Sequence, residues 1–204
     1  RGHCSGEVHE QRLTDSGSED LRPWLSSDGE EVFFVSNRGG SYQLWSMGED
    51  GSFPRRVTNL PGDVKGYALS LDGTKLAVEA ALPDGSRAAW GLDPDGTGLA
   101  RLSEPGADGW DAELSPAGNA AVYISGASGK AAVYIVGSGG GTSTRLTDNG
   151  RWNRLPSWSP ATDRIAYLSS DDGREWSLEA MSTEGKKPPW LVHRVNGGVR
   201  PAWS

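Results

Sequence analysis

Short apolar runs alternate along the chain with polar turns that carry glycine. In the first unit, Arg22-Pro23-Trp24-Leu25-Ser26 leads into Ser27-Asp28-Gly29, and residues 31–36 run to Asn37-Arg38-Gly39-Gly40. Residues 42–47 then reach Glu49-Asp50-Gly51, and 54–58 close the unit. Runs this short, rich in β-branched and aromatic residues, predict strands, and the Asp-Gly pairs predict tight hairpins because both residues tolerate a positive φ. The unit repeats. Leu13-Thr14, Val57-Thr58, Leu102-Ser103, Leu146-Thr147 and Leu191-Val192 recur at steps of 44 or 45, and Ser26, Ser70, Ser115, Ser159 and Ser204 keep the same rhythm. Two markers in phase predict a repeat architecture in which each supersecondary unit buries its faces against its neighbours. No helical period competes, so the fold class is all-β, built of four-stranded antiparallel blades.

Pro156-Ser157-Trp158-Ser159-Pro160, Pro201-Ala202-Trp203-Ser204 and Arg164-Ile165-Ala166-Tyr167-Leu168, with Gln43-Leu44-Trp45-Ser46-Met47 and Arg55-Arg56-Val57-Thr58, carry a resemblance to the repeat of TolB-like β-propellers. The second unit departs from it, with Tyr67-Ala68-Leu69-Ser70-Leu71 at the inner strand. The expected domain is one propeller over 1–204, with blades near 15–58, 59–103, 104–147 and 148–192 and partial strands at 7–14 and 198–204. About four and a half blades are then present, read as an excerpt of the six-bladed ring usual in the resembled family. The resemblance implies a periplasmic or extracellular location.

Trp158 and Trp203 share the phase of Leu25, Leu69 and Leu114, so all five are expected as buried wedges between blades. Trp45 and Trp90 are likewise in phase with each other. Trp110 and Trp152 fall instead in connectors between blades, which the repeat leaves free to vary.

The net charge of -7 and the scattered Lys and Arg disfavour a nucleic-acid partner, whose phosphates need clustered cations, and none is expected. The sequence contains no apolar run long enough for a membrane-spanning helix, so no membrane insertion is expected. The single cysteine, Cys4, rules out an intrachain disulfide, and a metal site from His3, Cys4 and His9 is disfavoured because a chain end does not fix ligands. Gly126-Ala127-Ser128-Gly129-Lys130 lacks the spacing of a phosphate loop, and Asp93-Pro94-Asp95-Gly96 lacks the full ligand series of a calcium loop. No cofactor or metal is expected. His193 is the one histidine away from the N-terminus, and it falls in an outermost strand, so no Ser-His-Asp triad assembles and no enzyme activity is expected.

The connectors gather at one mouth of the channel. Asp108, Trp110, Asp111, Trp152, Arg154 and Arg200 are the candidate binding residues there, since aromatic and Arg side chains on variable loops suit binding hot spots. The alternative for Trp110 and Trp152 is a plug in the channel. By resemblance, the expected function is a non-catalytic, TolB-like extracytoplasmic adaptor that docks a protein or peptide partner. Two other readings stay open: an accessory propeller of a prolyl-oligopeptidase-type hydrolase or sensor kinase, and a glycan-binding or lyase-type propeller with a carbohydrate ligand.

Overall fold

The computed structural model describes residues 10–126, 130–184, 190–195, 201 and 203. Among them the backbone forms strands and no helix. Sheet one holds β1 (Asp20–Leu25), β2 (Glu31–Ser36), β3 (Gln43–Gly48) and β4 (Arg55–Arg56). Sheet two holds β5 (Asp63–Leu69), β6 (Leu76–Ala81), β7 (Arg87–Leu92) and β8 (Ala100–Arg101). Sheet three holds β9 (Gly109–Leu114), β10 (Ala120–Ser125), β11 (Ala132–Gly137) and β12 (Thr144–Arg145). Sheet four holds β13 (Trp152–Trp158), β14 (Arg164–Ser170), β15 (Trp176–Ser182) and β16 (Trp190–Val195). Each is an antiparallel meander in chain order, which is the propeller blade expected from sequence. The inner strand of the departing second unit pairs with β6 from Asp63 to Leu69 all the same.

At seven described positions the two sequence markers are hydroxyls that bind backbone. Ser26, Ser70, Ser115 and Ser159 accept from the N–H of Glu31, Lys75, Ala120 and Arg164 at 2.9 to 3.1 Å. Each also donates to a carboxylate or amide oxygen in its own turn, at Asp28, Asp72, Asn119 and Asp163. The first turn between strands is thus closed four times by the same device. Gly29, Gly73 and Gly118 fill its left-handed position at φ 80°, 72° and 65°, but in the fourth blade Thr162 holds that conformation at φ 60°. The second marker works at the other end of the blade, where Thr58, Ser103 and Thr147 accept from the N–H of Leu44, Ala89 and Val133.

The core lies between the sheets. Phe33, Val35 and Leu44 of the first blade pack on Leu76, Val78 and Trp90 of the second. Ala77 and Leu102 meet Leu114, Tyr123 and Val136 across the next interface, and Val122, Ile124 and Val133 meet Trp158, Ile165 and Tyr167 across the third. Each fully buried side chain of this size contributes roughly 1.5–3 kcal/mol.

The outer face of the first blade is covered differently. Val32, Phe34 and Met47 pack there on Leu13, whose carbonyl approaches Gly51 as Val57 approaches Gly96 and Arg101 approaches Gly140. Residues 10–14 form no strand. Leu13 nevertheless sits where a preceding blade would place its outermost strand.

The five expected wedges do not share one environment. Leu114 and Trp158 are buried, Leu69 and Trp203 are half-buried, and Leu25 is 52% exposed. The expectation fails at Leu25 because each wedge leans on the preceding blade. Trp158 Nε1 donates to the Glu113 carbonyl and Trp203 Nε1 to the Ser157 carbonyl, 45 and 46 residues earlier. No described blade precedes Leu25.

Candidate functional site

Every inner strand breaks register, at equivalent positions in the first, third and fourth blades and slightly earlier in the second. The shift falls between Leu21 and Trp24 in β1, between Val64 and Gly66 in β5, at 110–113 in β9 and between Arg154 and Ser157 in β13. A bulge of this kind re-aims the side chains beside it. Arg22, Asp111 and Leu155 take a positive φ of 50° to 54° there. The bulges put several of the sequence-named residues to structural use.

Asp108 accepts from the Arg87 N–H of the preceding blade at 2.5 Å, and the Arg87 guanidinium lies 4.2 Å from the centre of the Trp110 ring. Asp63, 45 residues earlier, accepts from the Tyr42 N–H in the same way. Trp110 is half-buried against Val122, Ile124 and their neighbours, and a Cβ on Gly126 would stand 2.6 Å from its ring. Asp111 accepts from the Leu155 N–H of the following blade at 3.0 Å. Arg154 stacks 3.7 Å from the centre of the Trp176 ring. Trp152 opens β13 and is 42% exposed. Arg200 lies outside the described residues. The structure therefore brings Asp108 and Trp110 together through Arg87, links Asp111 to the fourth blade, and leaves Trp152 facing solvent.

Sequence reasoning passed over the polar cluster beside Trp152. Arg151 contacts Asp171 at 2.9 Å and Glu179 at 2.5 Å, and the buried Tyr167 hydroxyl donates to Glu179 at 2.8 Å. Burial alone would pull the Arg151 guanidinium down, but its bonds to the two carboxylates outweigh that and push it up. Burial pushes the Tyr167 phenol up, and the Glu179 charge adds to it. A signal was present: Glu179 breaks the in-phase aromatic series Trp45, Trp90 and Tyr134.

A concavity lies at the opposite mouth. A cavity of about 490 Å³ opens among the first turns of the blades, walled by Trp24, Leu25, Leu69, Leu71, Leu114 and Trp158. A second recess of about 250 Å³ shares Trp24, Ala68 and Leu69 and runs back to Arg22 and Tyr67. The wall is apolar because neighbouring blades occupy the polar edges of the inner strands. Glu113 accepts from the Trp158 N–H, Glu79 accepts from the Ala112 N–H, and the Tyr67 hydroxyl lies 2.6 Å from the Arg22 carbonyl. Trp24 is 62% exposed and Leu71 is 76% exposed on this rim. Nothing in the hydrophobic pattern distinguishes the two mouths, since the cavity depends on which wedges lack a neighbour.

Among the described residues no group of three or more His, Cys, Asp and Glu could hold a metal ion. No described helix is long and apolar enough to cross a membrane. The side chains of His3, His9 and His193 lie outside the described residues.

Four-stranded meanders stacked through apolar faces define the class, a β-propeller. No family model matches the chain. Over 68 residues, 33% of the chain, it is 35% identical to Dipeptidyl-peptidase 5 of Porphyromonas endodontalis, of which this covers 10%. A candidate TolB from Agrobacterium tumefaciens superposes with a TM-score of 0.68 at 22% identity, over 86% of this chain and 65% of that one. A puromycin hydrolase superposes at 0.67 and 15% identity, over 93% of this chain and 31% of that one. The fold is thus that of a TolB-like propeller, and the chain spans less than two thirds of each of these relatives.

Proposed function

We propose that this chain is a non-catalytic binding propeller, a TolB-like extracytoplasmic adaptor that seats an extended peptide segment of a partner protein at the mouth lined by the first turns. The observation that carries this reading is the apolar cavity of about 490 Å³, which gathers side chains from all four blades. Its size falls within the range of small-ligand sites, roughly 300–1,000 Å³. Exposed apolar side chains grouped at one place mark interaction surfaces, whereas scattered ones carry no such meaning. Trp152 is the open position at the connector mouth and marks a secondary contact.

The test is to titrate the 204-residue chain against a panel of fluorescein-labelled extended decapeptides and to assay the same peptides for cleavage. Saturable binding without turnover supports the reading. Turnover that a single point change abolishes overturns the non-catalytic part, and the absence of saturable binding overturns the peptide part.

A second reading has its own support in the 35% identity to a peptidase. Under it the chain is the accessory propeller of a hydrolase, with the chemistry in an adjoining domain. A Gly-x-Ser-x-Gly segment encoded beside this chain decides in its favour.

A further inference from the structure

The rim of the apolar cavity carries more carboxylates than cations. The first turns of the four blades (26–31, 70–75, 115–120 and 159–164) carry Asp28, Glu30, Glu31, Asp72 and Asp163, against Lys75 and Arg164. Both cations have carboxylate partners, Lys75 at Asp93 and Arg164 at Asp163, and Glu31 is paired with Arg55, which leaves Asp28, Glu30 and Asp72 as the excess. The third turns, at the same end of the blades, add Glu49, Asp50 and Asp95. Neighbouring turns touch around the rim, since the Asp72 N–H donates to the Pro116 carbonyl and a Cβ on Gly73 would stand 3.1 Å from Ser27 Oγ. Asp28 and Asp72 stand next in sequence to Ser27 and Gly73, which line the cavity. Bonds from Ser26 and Ser70 hold Asp28 and Asp72 below the ordinary carboxylate range, so both are ionised at neutral pH. Leu71 stands where the other blades have Ser27, Pro116 and Pro160, and it adds an exposed apolar side chain that the turn does not require.

Resting on the peptide-binding reading above, we infer that the partner segment is cationic, with large apolar side chains entering the cavity and flanking Lys or Arg side chains on the turn carboxylates of the first and second blades. Charge complementarity selects this occupant over an acidic or neutral one. An acidic segment would meet like charge on the first and second blades, whereas the third blade's turn has neither sign and Asp163 of the fourth is paired with Arg164.

The probe is a fluorescein-labelled Lys-Leu-Lys-Leu-Lys-Leu-Lys peptide, followed by anisotropy at low and physiological salt. A Glu-Leu and a Lys-Ser peptide of the same alternation are the controls. The Lys-Leu probe should bind about tenfold or more tighter than either control, and added salt should weaken it. Leu71→Ser and Trp24→Ser, both at exposed positions, should each weaken it severalfold while circular dichroism stays unchanged. Asp28→Asn with Asp72→Asn should remove much of the salt dependence. Equal binding of the Lys-Ser probe, or unchanged affinity in both the Leu71 and Trp24 variants, overturns the inference, because attraction is then diffuse and the cavity is unused. Binding of the Glu-Leu probe that Leu71→Ser weakens overturns the cationic specificity and leaves the peptide-binding reading intact. Binding of no peptide removes both.

Discussion

The inner strands of the first and fourth blades occupy the same place in the repeat and have opposite fates. In β13, Trp158 is buried, its indole bonded to the Glu113 carbonyl and its N–H to the Glu113 carboxylate. In β1, Trp24 and Leu25 are largely exposed. Both strands pair with the second strand of their own blade, and both turn through the same Ser-to-Asp device. The difference lies in the preceding neighbour. Burial at the wedge position is therefore a property of the interface, and the residue's own hydrophobicity only makes it possible.

The sharpest way to break this comparison is to truncate the wedge on both sides. Trp158→Ala should cost about 3–5 kcal/mol in urea unfolding, since a packed indole and its hydrogen bond are lost together. Leu25→Ala should stay within roughly 0.5 kcal/mol. Similar losses at the two sites would mean that the first blade's wedge is buried in solution.

Smaller effects should come from the polar staples between blades. Asp108→Ala and Asp63→Ala each leave a preceding-blade N–H without its carboxylate, and each should cost about 1–2 kcal/mol at these partly exposed sites. Equal losses would show that the two are one repeated device. A loss at Asp63 alone would free Asp108 for a role in binding.

The left-handed position of the first turn offers a gain. Thr162→Gly relieves a β-branched residue at positive φ and should raise stability by about 1 kcal/mol, read as an upward shift in Tm. Gly118→Ala should do the reverse, since its Cβ would also stand 2.7 Å from Thr74 Oγ1.

Acid should act most gently. Asp28, Asp50, Asp72, Asp84, Asp95 and Asp172 all have carboxylates held below their ordinary value of 3.8, chiefly by bonds from nearby hydroxyls or N–H groups. A group depressed on folding contributes stability above its unfolded pKa, and that contribution is lost as pH falls through the folded one. Tm should hold near neutrality and decline below about pH 4, less steeply in Asp28→Asn with Asp72→Asn than in the parent. An identical pH profile in that variant would remove these turns as the cause.

Strands, turns and blade order were legible because each is written locally: apolar alternation, Asp-Gly pairs and two hydroxyl markers. The marker hydroxyls were visible before their bonds were, since period alone singles out Ser26 and Thr58. The bulges were not legible, because Asp111 and Leu155 adopt positive φ without the glycine that would announce it. At the candidate site, Asp108 looked variable although Asp63 sits one period earlier in the same role. Trp110 looked available, yet Arg87, distant in sequence, stacks on it. The cavity was hidden for a different reason. It depends on which wedge residues meet a neighbour, and one repeat cannot report on the next.

One set of contacts between blades shares a direction, opposite to that of the Asp63, Asp108 and Pro116 contacts. Tyr67 reaches back to Arg22, the N–H groups of Ala112, Leu155 and Trp158 reach back to Glu79, Asp111 and Glu113, and Trp203 reaches back to Ser157. In each case the later residue brings the proton and the earlier blade holds the acceptor. A chain emerging from the ribosome N-terminus first would present each new inner strand to acceptors already in place, so that synthesis and assembly run the same way along the arc.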